Sequence, residues 1–384
     1  MIRGSTIPLF DDCALDIPET EGIKYAGSKL KLIPHILDTI SKTSAKTVLD
    51  GFSGSTRVSQ SLAKSGYEVV CNDMAVWSEV FGTCYLLSRK PAHAYTDLIE
   101  ELNATRPIEG WFTNYYGGHA NGGNSTQSNG FKRPWQIHNT MKLDGIRNRI
   151  DELCLSPIEE SVALTSLILA LDKVDSTLGH YVSYLKEWSP RSYKELCLEV
   201  PKVFEHDLEH MVLRKDVFDV AGSGVDLAYY DPPYGSNNEK MPPSRVRYAS
   251  YYHPWTTICL NDKPDVFGKA NRRSDTSDKI SGSVFEEFRK NSASGRYVAV
   301  EAIEKLIQKT RAEWVLLSYS STGRSTAAEL NNILKNNGEL VEVRKIDYQK
   351  NVMANMKWTN EWIRESEQKN QEFLFLINKG TSHQ

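Results

Sequence analysis

The residues best placed to do chemistry stand together in mid-chain: Asp231-Pro232-Pro233-Tyr234-Gly235. They follow Val225-Asp226-Leu227-Ala228-Tyr229-Tyr230, an apolar run that reads as a buried strand. Successive prolines have no N–H to donate, so the strand must stop there. The stop leaves a carboxylate, a free backbone carbonyl and an aromatic ring at the strand's carboxyl end. Open α/β sheets bind ligands at that edge. An acceptor side chain, an acceptor carbonyl and a stacking ring together hold a planar base by its exocyclic amino group. An Asp-Pro pair alone would be no more than a turn; the whole run behind an apolar segment carries the chemical reading.

A sheet has to deliver that edge. Thr47-Val48-Leu49-Asp50 reads as a strand, and Thr56 to Lys64 as a helix with Val58, Leu62 and Ala63 on its apolar side. Gly66 closes the helix, and Tyr67 to Cys71 reads as the next strand. Such alternation predicts βαβ units and a mostly parallel sheet. Trp314 to Tyr319 and Phe373 to Ile377 are also strand-like, and Leu30 to Ile40 reads as a helix. The turn Asp50-Gly51-Phe52-Ser53-Gly54-Ser55-Thr56 lets backbone approach a ligand closely, and Ser55 or Thr56 can cap the helix behind it. It is neither a dinucleotide fingerprint nor a phosphate-binding Walker loop. Asp73, about 20 residues past the glycine turn, suits the two hydroxyls of a ribose.

The pattern changes over residues 84–205. Val162 to Leu171 reads as a buried helix, and Asn114 to Asn129 as a loop rich in Gly, Asn and Ser. We take 84–205 as a mainly helical insertion between an α/β part at 1–83 and another at 206–384. Residues 236–294 form a polar, basic and aromatic excursion from the second part.

The 384 residues allow two or three domains. Net charge is −3, so any binding to nucleic acid must rest on local basic patches. The 6 cysteines are scattered with no CxxC pair, which predicts neither a zinc site nor a disulfide framework and fits a cytoplasmic protein. His35, His138, His180 and His253 lack metal-ligand spacing, so no metal is expected. No apolar stretch approaches a membrane span, and Met1-Ile2-Arg3-Gly4-Ser5 lacks a signal-peptide core.

Lys24-Tyr25-Ala26-Gly27-Ser28-Lys29, Asp50 to Ser55, Asn72-Asp73 and Asp231 to Tyr234 follow one another in the order that resembles the Dam-type class of DNA adenine-N6 methyltransferases of restriction-modification systems. The likeness continues in Asn139 to Arg147, in Asp172 to Tyr181 and in Tyr251 to Thr257, and so covers most of residues 24–379. Asp175-Ser176 stands where the family usually has Ala-Asn, and Ser55 where a glycine is common. The resemblance implies a Rossmann-like S-adenosylmethionine-dependent methyltransferase sheet with an inserted target-recognition region. It implies S-adenosylmethionine as cofactor, with Tyr25 and Lys29 near its methionine end and Asp50, Phe52 and Gly54 lining the site. Asp73 would take the ribose and Asp216 the adenine amino group; read alone, Asp216 serves equally as a helix or turn cap. Asp231 and the Pro232 carbonyl would accept the N–H groups of a flipped adenine, and Tyr234 would stack on its ring. Double-stranded DNA is the implied partner, a cognate restriction endonuclease a further one, and the protein is expected to act as a monomer or weak dimer.

Arg245, Arg247, Lys269, Arg272 and Arg273, interleaved with Tyr251 and other aromatics, are candidates for phosphates and for an extruded base or the gap it leaves. A solvated basic loop is the plainer reading of each taken singly. The insertion offers a second face in Trp111, Tyr115, Tyr116, Lys132, Arg133 and Trp135, with Asn114, Gln136 and Asn139 for adenine edges. A nicotinamide-dependent oxidoreductase would account for the glycine turn and Asp73 but not for Asp231 to Gly235. A DNA-binding module without catalysis would have no use for Asp231, Pro232 and Tyr234. RNA is a weaker substrate reading than DNA.

Overall fold

The computed structural model describes residues 6–7, 16–234, 248–277, 280–287, 289–347 and 371–380. An 8-stranded sheet forms its centre, in the order β1 (Thr6–Ile7), β11 (Glu339–Asp347), β12 (Gln371–Asn378), β10 (Trp314–Ser320), β7 (Leu227–Tyr230), β2 (Thr47–Asp50), β3 (Glu68–Asn72) and β6 (Met211–Leu213). From β10 to β6 every neighbouring pair is parallel. β12 runs antiparallel to both its neighbours.

β7 is buried throughout, which is why its sequence shows no polar alternation. Successive side chains of a strand face opposite sides, and the two cores follow from that. Val48 points to a layer built with Ile36 and Leu62, on α1 (Ile33–Ser41) and α2 (Arg57–Lys64). Leu49 points to the other layer, with Val217 from α8 (Val217–Val220), Ile303 from α11 (Val298–Lys309) and Leu330 from α12 (Ala327–Asn337). The helix expected from Leu30 begins at Ile33, with Pro34 in its first turn where the missing N–H costs nothing.

The insertion is helical: α4 (Thr96–Ala104), α5 (Trp111–Tyr116), α6 (Ile137–Glu152) and α7 (Pro157–Lys173). α7 outruns its expected start because Ser156 and Glu159 form a capping box ahead of its apolar face. The insertion does not keep its core to itself. Phe81 from α3 (Val76–Gly82) and Trp255 from α10 (His253–Leu260) pack with Trp135, Leu143, Leu167 and Tyr181. The excursion therefore returns through α9 (Tyr248–Tyr251) and α10 to close the helical layer. Short pairs β4 (Gly117–Gly118) with β5 (Trp135–Gln136), and β8 (Val266–Phe267) with β9 (Arg272–Arg273), brace the irregular parts. Among the described residues no helix is long and apolar enough to cross a membrane, and no group of His, Cys, Asp or Glu could hold a metal ion.

Candidate active site

β7, β2 and β3 lie side by side and run the same way, so their carboxyl ends share one edge. Asp50 sits in register with Tyr229 on one side and Cys71 on the other. The chain therefore delivers Asp50, Asp73 and Asp231 to the same place. With Tyr25, Lys29, Phe52, Gly54, Asp216, Pro232 and Tyr234 they line one cleft of about 780 Å³. That volume holds a nucleoside-sized ligand. The cofactor and catalytic candidates read from sequence thus converge on a single cavity.

The glycine turn is held by backbone. The Gly51 N–H donates to the Tyr229 carbonyl at 3.0 Å, and the Ser53 N–H to the Asn72 carbonyl at 3.0 Å. Gly54 adopts a φ of +47°, and an added Cβ would stand 3.0 Å from the Tyr25 hydroxyl. Its N–H donates to Asp73 Oδ2 at 2.9 Å, while Asp73 Oδ1 accepts from the Ala75 N–H at 2.9 Å. The carboxylate is thereby fixed with lone pairs to spare. Asp50 is buried; its Oδ2 accepts from the Ser59 hydroxyl at 2.6 Å, and its Oδ1 has no hydrogen-bond partner among the described residues. Burial, only partly offset by Ser59, pushes the Asp50 carboxyl up to about 7.

The Tyr25 ring stacks on Tyr252 at 4.9 Å and lies beside Tyr248 and Trp77. Tyr252 also accepts from the Ala26 N–H at 2.6 Å, tying the Lys24 to Lys29 loop to the helical layer. Phe52 meets the edges of Tyr230 and Phe285. Asp216 is exposed at the cleft, and its Oδ1 caps α8 by accepting from the Phe218 N–H at 2.9 Å. The cap left open by the sequence is therefore formed.

At the Asp-Pro-Pro-Tyr end, Lys29 Nζ stands 3.0 Å from Asp231 Oδ1 and donates to the Tyr234 hydroxyl at 3.0 Å. The Tyr234 hydroxyl in turn donates to Glu372 Oε1 at 3.1 Å. Burial raises the Asp231 carboxyl, Lys29 opposes that, and Glu372 adds to it; the outcome is about 6. Burial depresses the Lys29 ammonium, but Asp231 and Glu372 outweigh it and hold the group above the ordinary lysine value. Sequence reasoning missed Glu372. It lies 138 residues beyond Tyr234, just ahead of the strand-like run Phe373 to Ile377, with no motif to mark it.

The proposed DNA contacts fare differently. Arg245 and Arg247 lie outside the described residues. Lys269 is exposed beside β9. Arg272 covers the Phe267 ring at 4.8 Å and donates to the Thr276 carbonyl at 2.9 Å. Arg273 needs correction: it is 4% exposed, and its guanidinium donates to Asp262 at 2.7 Å and to Asp275 at 2.8 Å. Those carboxylates occupy the donors that a phosphate would need. Tyr251 is also internal, stacked on His180 at 4.8 Å, so its ring is not open to a base. In the insertion, Tyr116, Trp135, Gln136 and Asn139 are likewise buried, and Asn139 accepts from the Leu196 N–H at 2.8 Å.

A mixed sheet whose parallel part carries at one edge a glycine turn, Asp73 and an Asp-Pro-Pro-Tyr stop has the frame of a Rossmann-like methyltransferase. The chain belongs to the D12 class of N6 adenine-specific DNA methyltransferases, whose family model matches residues 25–311. Enzymes of this family use S-adenosylmethionine. The cleft fits such a group: the Asp50 oxygen that lacks a hydrogen-bond partner among the described residues and the carboxylate of Asp73 suit a cation that carries amino and hydroxyl donors. The chain is 27% identical to the modification methylase StsI of Streptococcus sanguinis, over 88% of this chain and 50% of that protein. It is 28% identical to the modification methylase LlaI of Lactococcus lactis subsp. lactis, over 78% of this chain and 46% of that one. To the type II methyltransferase M.NlaIII of Neisseria lactamica it is 25% identical, over 83% of this chain and 89% of that protein. It thus spans about half the length of the first two relatives.

Proposed function

We propose that this chain methylates the exocyclic amino group of adenine at specific sites in double-stranded DNA, as the modification enzyme of a restriction-modification system. The observation that carries this reading is the placing of Asp231 and Pro232 at the carboxyl edge of β7, in the same cleft as Asp50 and Asp73. When bound, S-adenosylmethionine supplies an electrophilic methyl group on a sulfonium centre. Asp73 would hold its ribose, Asp216 and Phe52 its adenine end, and Tyr25 and Asp50 the remainder, with Lys29 and Gly54 shaping the wall between them.

The amino nitrogen of adenine is a weak nucleophile because its lone pair is delocalised into the ring. Asp231 accepts one of its N–H groups and the Pro232 carbonyl the other, which favours a tetrahedral nitrogen aimed at the methyl carbon. The remaining work is positioning and electrostatics. The nitrogen sheds a proton as it is methylated, and Asp231 is the nearest acceptor. Tyr234 offers a face to the target ring. The base must leave the duplex to reach this pocket, at a cost on the order of a few kcal/mol. We place target recognition in the helical layer, residues 84–205 with α9 and α10, and phosphate contact at Lys269 and Arg272. Such an enzyme acts in the cytoplasm as a monomer or weak dimer, alongside a cognate restriction endonuclease.

Tritium transfer from labelled S-adenosylmethionine to duplex DNA tests this. The wild-type chain labels DNA, and Asp231→Ala loses that activity by at least about 1,000-fold, the scale of removing a key electrostatic group. Its affinity for S-adenosylhomocysteine stays within a few-fold. An Asp231→Ala protein as active as wild type would refute the assignment.

A further inference from the structure

Glu372 has no assigned part in the chemistry, yet the fold carries it against Lys29 and Tyr234, which line the pocket. β12 is antiparallel to β10, so its first residues arrive where the parallel strands end. Glu372 sits in register with Ser320, the last residue of β10. The side chain is buried, and its oxygens do different things. Oε1 accepts from the Tyr234 hydroxyl at 3.1 Å, whereas Oε2 lies 3.7 Å from Lys29 Nζ and has no hydrogen-bond partner among the described residues. An unsatisfied carboxylate oxygen in a buried site is unstable unless something can reach it.

Asp231 has the complementary difficulty. Its Oδ1 is paired with the same ammonium at 3.0 Å. To accept an amino N–H from the target base through Oδ1, Asp231 must not be masked by Lys29. One lysine thus stands between two carboxylates, closer to the one whose lone pairs the reaction requires. The Tyr234 hydroxyl, which accepts from Lys29 and donates to Glu372, bridges the two positions. Closing the 3.7 Å gap to a charge-assisted hydrogen bond of about 2.8 Å asks Nζ to move by about 1 Å.

We propose that Glu372 is a positioning residue that takes Lys29 from Asp231 when the target amino group enters the pocket. The pocket then keeps its buried lysine paired while Asp231 turns to the base. Glu372 touches neither substrate nor cofactor in this scheme; it acts through Lys29 and Tyr234. The inference rests on the adenine-methyltransferase reading above.

The test separates the two. With the full chain, saturating S-adenosylmethionine and duplex DNA, Glu372→Gln keeps an acceptor for the Tyr234 hydroxyl but loses the charge. Its single-turnover rate falls roughly tenfold or more, as expected for neighbours in one network. Its affinity for S-adenosylhomocysteine changes less than about twofold, the separation expected when an interaction acts only in the chemical step. Glu372→Asp, which keeps the charge, recovers most of the rate. In a crystal structure of the wild-type chain with S-adenosylhomocysteine and duplex DNA bearing the flipped adenine, Lys29 Nζ lies nearer Glu372 than Asp231. A Glu372→Gln rate equal to wild type, a loss of cofactor affinity, or Lys29 still on Asp231 in that complex each overturns the proposal. Wild-type protein that transfers no methyl group overturns the underlying reading and this inference with it.

Discussion

In the proposed reaction Asp231 would meet the base with a carboxyl that burial, opposed by Lys29, holds at about 6. Protonated, it loses its negative charge and becomes a much weaker acceptor for the amino group. The rate of methyl transfer should therefore fall as pH drops, with an acidic limb centred near 6, and stay level above it. A pH profile of the single-turnover rate checks this; a limb near 4, the ordinary carboxyl range, would contradict it. Gly54 is the second sensitive point. At a φ of +47°, and with a Cβ landing 3.0 Å from the Tyr25 hydroxyl, Gly54→Val must strain the turn or push Tyr25 aside. Strain of about 1–3 kcal/mol corresponds to a cofactor affinity weakened roughly tenfold, measurable by calorimetry with S-adenosylhomocysteine. Asp50, Asp73 and Asp231 were legible in the sequence because each ends or directly follows its own strand, where a local motif marks the edge. Glu372 was not, because an antiparallel strand places its start, not its end, at that edge. Arg273 misled for another reason: a run of basic residues counts charges, and the carboxylates of Asp262 and Asp275 that claim this one are set by the fold.

Elements explain which boundaries the sequence placed well. β2 and β7 lie where their apolar runs predicted, and α7 grew at its start because a Ser-Pro-x-Glu cap precedes the apolar run. Ser156→Ala should lower stability by about 1 kcal/mol, seen as a shifted denaturant midpoint with unchanged slope. The helical layer depends more heavily on Trp135, which is fully buried and donates from its indole to the Leu171 carbonyl at 3.0 Å. Trp135→Ala should cost about 3–5 kcal/mol, enough to loosen the layer while the sheet still folds. The sharing of that layer's core with α3 and α10 was not legible, since helices far apart in sequence and with different neighbours carry no common pattern.

For the molecule as a whole, a formal charge of −3 means that the proposed contact with duplex DNA must rest on a local patch of an acidic protein. Affinity for duplex DNA should fall steeply with salt: for contacts to 6–10 phosphates, by about 10³-fold or more between 50 and 200 mM. Lys269→Ala should reduce the salt slope by about one without changing which site is preferred. Filter binding at a series of salt concentrations measures both. The measurement that bears most directly on the proposed function is to express the chain in a host without adenine methylation and map modified bases genome-wide by single-molecule sequencing. The proposed function predicts N6-methyladenine at every copy of one short sequence, and none when Asp231→Ala replaces the wild type. A genome without methyladenine, or with methylcytosine in its place, would contradict it.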